Sequence, residues 1–216
     1  MMTVDALETG KERIAAAFAA NTGSAALMPY MMGGFPTPAH TAKIAQAYID
    51  GGADLIEFGL PFSDPLADGP VIHEAATQAL AAGTVIEQLL GEIAPIAAQV
   101  PVMVMTYYNL IEVRGVARFL DRIAALGVSG LIVPDLPFDE ADVLLAECDE
   151  RGVALIQLVA PTTTDERLKA ICARARGFIY TVAYVGTTGS GQADGDELAA
   201  LVTRVKAHTD LPVAVG

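Results

Sequence analysis

The feature that most constrains this chain is a junction that recurs four times: a helix-forming stretch, then a glycine, then a short apolar run. The junctions are Gly52-Ala53, Gly127-Val128, Gly152-Val153 and Gly177-Phe178. Glycine is favoured where a helix ends because it adopts the left-handed conformation that closes the last turn. Strands that each follow a helix in this way run parallel and are joined by crossover helices. The repeated junction therefore predicts a parallel α/β fold.

Seven apolar runs have the length and composition of buried parallel strands. They are Leu27–Met31, Leu55–Phe58, Val102–Tyr107, Leu131–Val133, Ala154–Val159, Phe178–Val182 and Val213–Val215. The widest gap, between the second and third runs, has room for two helices, over 70–82 and 84–98. No G-x-G-x-x-G motif follows the first run, which favours a TIM (β/α)8 barrel over a doubly wound sheet. We expect one TIM-barrel domain over residues 1–216.

The last predicted strand ends next to Gly216. The pattern therefore predicts a barrel that is cut short after strand seven, with strand eight and the last helices missing. We expect such an open barrel to expose a strand edge and part of its core, which a soluble protein tolerates poorly.

Composition excludes several classes of function. The chain of 216 residues is 53% apolar, yet it contains no run of 18 apolar residues, so we expect no membrane span. The net charge of −13 argues against nucleic acid as a partner. The N-terminus lacks a signal pattern, which predicts a cytoplasmic protein. The two cysteines and three histidines lack metal-ligand spacing, so no metal site is expected.

Glu57 breaks the local pattern, because it interrupts an apolar strand in which an ionised carboxylate is costly. Burial raises the pKa of a carboxyl group, which suits a group that gives and takes a proton near neutral pH. The alternative is that Glu57 points to the periphery and pairs with a cation on a helix. We favour the first interpretation, since buried, unpaired acids are rare without a role.

Asp68 lies just before Pro70, which is expected to begin a helix. The helix dipole favours an anion there and should keep Asp68 ionised while Glu57 titrates near neutral pH. Two acids whose pKa values differ in this way form an acid/base pair. The alternative is that Asp64 and Asp68 are only turn and cap residues.

Two further observations limit the chemistry. The four lysines all fall in helical segments, so no strand supplies a Schiff-base lysine. The glycine-rich stretch 186–195 follows the sixth predicted strand, and composition fits a hinged lid and a slack surface loop equally well.

The loops after the predicted strands resemble those of the tryptophan synthase alpha chain family. The motif that carries the resemblance is E-F-G-L-P-F-S-D-P-L-A-D-G-P, over residues 57–70. Further matches span the whole chain: Pro29-Tyr30, Tyr107-Tyr108-Asn109-Leu110, Val133-Pro134-Asp135-Leu136-Pro137 and Gly186-Thr187-Thr188-Gly189. The resemblance implies a lyase that splits indole-3-glycerol phosphate into indole and glyceraldehyde 3-phosphate.

The resemblance also implies a beta-chain partner in an α2β2 tetramer. Pyridoxal phosphate is expected only in that beta chain, and no cofactor in this one. The family's acid/base glutamate falls on Glu57, and its indole-binding aspartate falls on Asp68. Other positions implied to bind substrate are Tyr30, Ile72, Met105, Tyr107, Tyr180, Thr188 and Gly189. Positions implied to face the beta chain are Pro61 through Asp64, and Asp135.

The sequence departs from the family in two places. Ser190-Gly191 replace an alanine and, often, an arginine after the expected lid, so lid closure could differ. The phosphate-binding loops after strands seven and eight fall beyond Gly216, and we therefore expect this form to bind substrate poorly and turn over little. Three roles remain open: an alpha-subunit lyase, an interaction subunit with little activity, and a stand-alone indole-releasing lyase.

Overall fold

The computed structural model describes residues 9–182 and 195–216. The strands are β1 Tyr30–Met32, β2 Ile56–Gly59, β3 Val102–Met105, β4 Gly130–Ile132, β5 Ala154–Val159, β6 Ile179–Thr181 and β7 Val213–Val215. The helices are α1 Gly10–Ala20, α2 Thr41–Asp50, α3 Pro70–Ala81, α4 Ile86–Gly91, α5 Ile93–Ala97, α6 Tyr108–Glu112, α7 Val116–Ala125, α8 Asp142–Glu150, α9 Asp165–Arg174 and α10 Gly195–Lys206. Short 3-10 turns lie at Pro38–His40 and Phe138–Glu140.

The seven strands form one parallel sheet whose spatial order follows the chain from β1 to β7. In its register Tyr30 of β1 lies opposite Glu57 of β2, which lies opposite Met103 of β3. Sequential parallel strands with intervening helices are the arrangement of a TIM barrel. The predicted fold class is confirmed.

The glycine junctions have the backbone conformation that the sequence predicts. Gly52, Gly127, Gly152 and Gly177 have φ angles of 91°, 78°, 68° and 68°. The first three lie within two residues of a helix end, whereas Gly177 lies three residues beyond α9. A Cβ atom at Gly177 would come within 3.0 Å of Ile156 and 3.1 Å of Ile14, so this glycine also serves close packing.

The bounds of five predicted strands and of both predicted helices differ from the structure, and two of these differences have a clear cause. Strand β1 begins at Tyr30 instead of Leu27 because the Leu27 amide donates to the Asp54 side chain, at 2.7 Å, and not to a neighbouring strand. The helix predicted over 84–98 is broken into α4 and α5 around Glu92. Pro95 lacks the amide hydrogen that would continue the helix hydrogen bonds.

The side chains of each strand alternate between two apolar layers. Ile56 and Phe58 point outward and pack with the helices in the larger core. Leu55 points inward and packs with Met103 and Phe178 in the barrel interior. Glu57 lies two residues after Leu55, so its carboxyl group points into the interior as well.

Helix α1 closes the end of the barrel at which the strands begin. Its Ile14 is fully buried in the interior cluster. Arg13 donates from Nη1 to the Gly127 carbonyl, at 2.7 Å, and from Nη2 to the Ala97 carbonyl. The Gly10 amide donates to the Gly152 carbonyl, at 2.7 Å. Backbone groups near the starts of β3, β4 and β5 are therefore hydrogen-bonded to α1.

No single helix in the described ranges has both the length and the apolarity to cross a membrane. Helix α3 taken together with α4 and α5 meets those two criteria, but the pair is bent by 103°. Helices α4 and α5 bury their apolar residues against the outer face of the sheet.

Candidate active site

The carboxyl group of Glu57 lies in the barrel interior near the C-terminal end of β2. The residue is only 4% exposed. No ion pair or side-chain hydrogen bond of Glu57 occurs within residues 9–182 and 195–216. Burial alone raises the pKa of Glu57 to about 7. The expectation of a buried, unpaired acid is confirmed, and the alternative of a peripheral Glu57 paired with a cation is wrong.

Asp68 lies on the loop between β2 and α3, two residues before the first residue of α3. Its Oδ1 accepts a hydrogen bond from the Tyr107 hydroxyl, at 2.9 Å. Burial raises the pKa of Asp68, while the Tyr107 hydrogen bond and the nearby His73 lower it. The α3 dipole is therefore not the dominant influence on this pKa, because desolvation of the half-buried carboxyl outweighs the groups that favour its ionised form. That Asp68 stays ionised near neutral pH remains a prediction.

Tyr30 interacts electrostatically with both acids. Burial raises the pKa of its hydroxyl well above the ordinary value, and the negative charges of Asp68 and Glu57 raise it further. Tyr30 lies across Gly59, where an added Cβ atom would meet its hydroxyl oxygen at 2.1 Å. Both carboxyl groups therefore act on one side chain, at the end of the barrel where β2 ends.

Tyr180 lies in β6 near the same acid. Burial raises the pKa of its hydroxyl well above the ordinary value, and the charge of Glu57 adds to that shift. Tyr30, Glu57 and Tyr180 line one cavity of about 810 Å³, which extends along β7.

The other predicted substrate-binding residues lie around this centre. Ile72 of α3 packs in the same small apolar cluster as Tyr30. Met105, at the end of β3, packs with Tyr180 in the interior cluster. Thr188 and Gly189, and with them the predicted lid, lie outside the described residues.

The predicted partner-facing positions lie on two loops. Pro61 is buried and Asp64 is exposed on the loop that carries Asp68. Asp135 is exposed on the loop after β4, and its Oδ1 accepts a hydrogen bond from the Tyr108 amide, at 2.9 Å. This bond places the Asp135 loop against the first residue of α6.

Sequence reasoning missed two groups around Asp68. His73 lies on the first turn of α3, five residues after Asp68, and helical spacing does not indicate that it interacts with the acid. The hydrogen bond from the Tyr107 hydroxyl joins residues 39 positions apart, and no local pattern indicates it. No group of three or more His, Cys, Asp or Glu suited to a metal ion occurs in the part of the chain that the structure describes.

The sequence profile of the tryptophan synthase alpha chain family matches residues 17–216. The chain belongs to this family. It is 44% identical to the tryptophan synthase alpha chain of Methanosarcina acetivorans, over 98% of this chain and 78% of that one. It is 46% identical to that of Halorhodospira halophila, over 94% of this chain and 77% of the relative. The family is that of a lyase subunit in tryptophan biosynthesis, as the motif predicts.

Solved structures agree with this membership. Mycobacterium tuberculosis tryptophan synthase superposes with a TM-score of 0.88 at 38% identity, over 97% of this chain and 80% of that chain. The tryptophan synthase α2β2 complex of Pyrococcus furiosus superposes with a TM-score of 0.81 at 37% identity, over 88% and 77% of the two chains. The sequence and the fold therefore assign the chain to the same family.

Proposed function

We propose that this chain, as one TIM-barrel domain, cleaves indole-3-glycerol phosphate to indole and glyceraldehyde 3-phosphate, with Glu57 as the acid/base residue and Asp68 as the anion beside the indole ring. The observation that carries the proposal is the burial of Glu57, which raises its pKa to about 7. A carboxyl group with that pKa is populated in both protonation states near neutral pH, as proton transfer in both directions requires.

Protonated Glu57 gives its proton to indole C3, and the positive charge that results is shared by the ring nitrogen. The ionised Asp68 accepts the ring N–H and stabilises that charge. Glu57, now a carboxylate, removes the proton of the side-chain hydroxyl. The C–C bond to C3 breaks, its electron pair returns to the ring, and the former hydroxyl carbon becomes the aldehyde. Glu57 thus ends the cycle protonated.

The remaining substrate contacts are part of the same proposal. Tyr30, Ile72, Met105, Tyr107 and Tyr180 form the apolar wall against the indole ring, supported by their positions around the two acids. Thr188 and Gly189, which lie outside the described residues, are further substrate contacts in this proposal. The reaction uses no cofactor of this chain, and it takes place in the cytoplasm.

The proposed partner is the tryptophan synthase beta chain, in an α2β2 tetramer such as the Pyrococcus furiosus complex. The beta chain carries pyridoxal phosphate and receives the indole. Pro61, Asp64 and Asp135 face it. Support for this orientation is the position of both loops at the C-terminal ends of β2 and β4, the end of a TIM barrel at which the chemistry takes place.

The first prediction concerns Glu57. Substitution Glu57→Gln keeps the size and hydrogen-bonding shape of the side chain but removes its proton transfer. We expect indole release to fall by at least about 10³-fold, because one group serves both transfers, while substrate binding changes little. The assay measures indole release from indole-3-glycerol phosphate, with and without the beta chain.

The matched control is Glu74→Gln, an exposed glutamate on α3, which should retain full activity. Turnover retained by Glu57→Gln would remove Glu57 from the acid/base role. A wild-type chain that releases no indole but stimulates the beta chain would instead identify an interaction subunit. Full release without the beta chain, unchanged when it is added, would identify a stand-alone lyase.

A further inference from the structure

The Tyr107 hydroxyl connects two loops that are distant in sequence. It donates a hydrogen bond to Asp68 Oδ1, at 2.9 Å. It also accepts one from the Ala67 amide, at 2.9 Å. Both contacts belong to the loop between β2 and α3, whereas Tyr107 follows β3. One oxygen atom therefore fixes the side chain of Asp68 and the backbone that precedes it.

The Tyr107 ring is itself held in place. Tyr107 is 5% exposed. The Phe62 ring packs against it, with the two ring centroids 5.2 Å apart and the planes inclined by 30°. The adjacent amide, that of Tyr108, donates to Asp135 Oδ1. The hydroxyl thus has a position set by β3, the start of α6 and the Asp135 loop.

The two residues just before Asp68 are exposed. Leu66 is 86% exposed, and Ala67 is exposed as well. Of the side chains in the described ranges, Tyr107 makes the hydrogen bond that reaches the Asp68 carboxylate. The other groups that interact electrostatically with Asp68 are His73 of α3 and Tyr30 of β1. Neither of them holds the carboxylate in one orientation by a hydrogen bond.

We propose that Tyr107 is a positioning residue for Asp68: its hydroxyl holds the carboxylate in the orientation that receives the indole N–H. The inference rests on the proposed function, because that function gives Asp68 its role. It assigns Tyr107 a polar task in addition to the apolar contact with substrate that the family resemblance implies.

The test is Tyr107→Phe, which removes one oxygen atom and leaves the ring packed against Phe62. Asp68 then loses its hydrogen-bond donor and the orientation that the donor sets. We expect kcat to fall about tenfold, as for the loss of one hydrogen bond to a charged group, while KM changes less than twofold. The acid limb of the kcat profile should move to higher pH, because the lost hydrogen bond favours the ionised form of Asp68.

The matched control is Tyr108→Phe, which removes the neighbouring hydroxyl and leaves the Tyr108 amide in its bond to Asp135. This variant should keep the wild-type kcat and pH profile. An unchanged kcat and pH profile in Tyr107→Phe would overturn the proposal, and so would an equal change in both variants.

A second measurement does not depend on catalysis. The pKa of the Asp68 carboxyl is followed by carbon NMR, with Asp68→Asn to assign its signal, and it should be higher in Tyr107→Phe than in the wild type. An equal pKa would overturn the proposal. A raised pKa in a chain that releases no indole would retain the positioning role and reject the proposed lyase activity.

A further variant, Phe62→Leu, keeps the Tyr107 hydroxyl but loosens its ring. We expect shifts of kcat and of the Asp68 pKa in the same directions as for Tyr107→Phe, but smaller. If Tyr107→Phe does not fold, Phe62→Leu is used as the test instead. A wild-type kcat and a wild-type Asp68 pKa in Phe62→Leu would then overturn the proposal.

Discussion

The two ends of the barrel differ in how their polar groups are paired. At the end where the strands begin, α1 satisfies backbone carbonyl groups with Arg13 and Gly10. At the end where β2 finishes, Glu57 is buried without an ion pair among the described residues. At the first end the backbone carbonyl groups next to α1 are hydrogen-bonded, although the buried Ser129 hydroxyl has no partner among the described residues. The other end buries an acid at a cost in stability. The same sheet therefore carries stabilising contacts at one end and, at the other, a buried acid that destabilises the fold and that we propose as the acid/base group.

The largest effect is expected for a substitution in α1, at the end of the barrel where the strands begin. In Gly10→Ala the new Cβ atom would lie 2.0 Å from the Ser129 carbonyl oxygen, which is backbone and cannot rotate away. We expect a loss of about 4 kcal/mol or more in the free energy of unfolding, because helix α1 must move and its bond to Gly152 is lost. Urea denaturation measures the change.

The control for Gly10→Ala is Gly91→Ala, since a Cβ atom there meets nothing within 4 Å. Its free energy of unfolding should equal that of the wild type or exceed it. Equal stability of Gly10→Ala and the wild type would mean that α1 does not close the barrel as described.

The next largest effect is expected for a substitution of Glu57, at the end of the barrel where β2 finishes. The folded-state pKa of Glu57, about 7, lies above the unfolded value of 4.5, so the folded state binds the proton more tightly. The free energy of unfolding therefore falls as the pH rises from about 4.5 through about 7. Relative to the wild type, Glu57→Gln should gain about 3 kcal/mol of stability between pH 4.5 and pH 8.

Urea denaturation of both proteins at the two pH values measures this gain. The variant should thus be inactive and, above neutral pH, more stable than the wild type. A stability difference that does not depend on pH would show that burial does not perturb Glu57, and the contrast between the two ends would fail.

The smallest effect concerns Arg13. Its guanidinium donates to three backbone carbonyl groups near the starts of β3 and β4, those of Ala97, Val100 and Gly127. We expect Arg13→Ala to lower the free energy of unfolding by about 2 kcal/mol and to leave kcat of the folded protein unchanged. Lys11→Ala, an exposed position on the same helix, should change neither quantity. A lower kcat in Arg13→Ala would mean that the two ends are coupled.

Local patterns predicted the strands well. Two of them, Ala154–Val159 and Val213–Val215, have the predicted bounds, and the helix predicted over 70–82 is α3. The closing role of α1 was not predicted, because Gly10 and Arg13 act through contacts with Gly152 and Gly127, which are more than 100 positions away. Periodicity indicates which face of a helix is apolar, but not which distant carbonyl groups it meets.

The candidate site also has one feature that the sequence predicts and one that it does not. The burial of Glu57 in the barrel interior could be predicted from the sequence, because a charge in an apolar strand is a local anomaly. The direction of the Asp68 pKa shift could not, because it depends on how much solvent the folded loop excludes. A helix dipole can be inferred from a proline and a turn, whereas desolvation is known only once the packing is known.

The close approach of Tyr30 to the bare backbone at Gly59 has a consequence for redesign of the pocket. No other amino acid fits at position 59 while the phenol ring occupies that space. An engineer who wishes to admit a bulkier heterocycle must therefore shorten residue 30 first, and only afterwards is position 59 open to diversification.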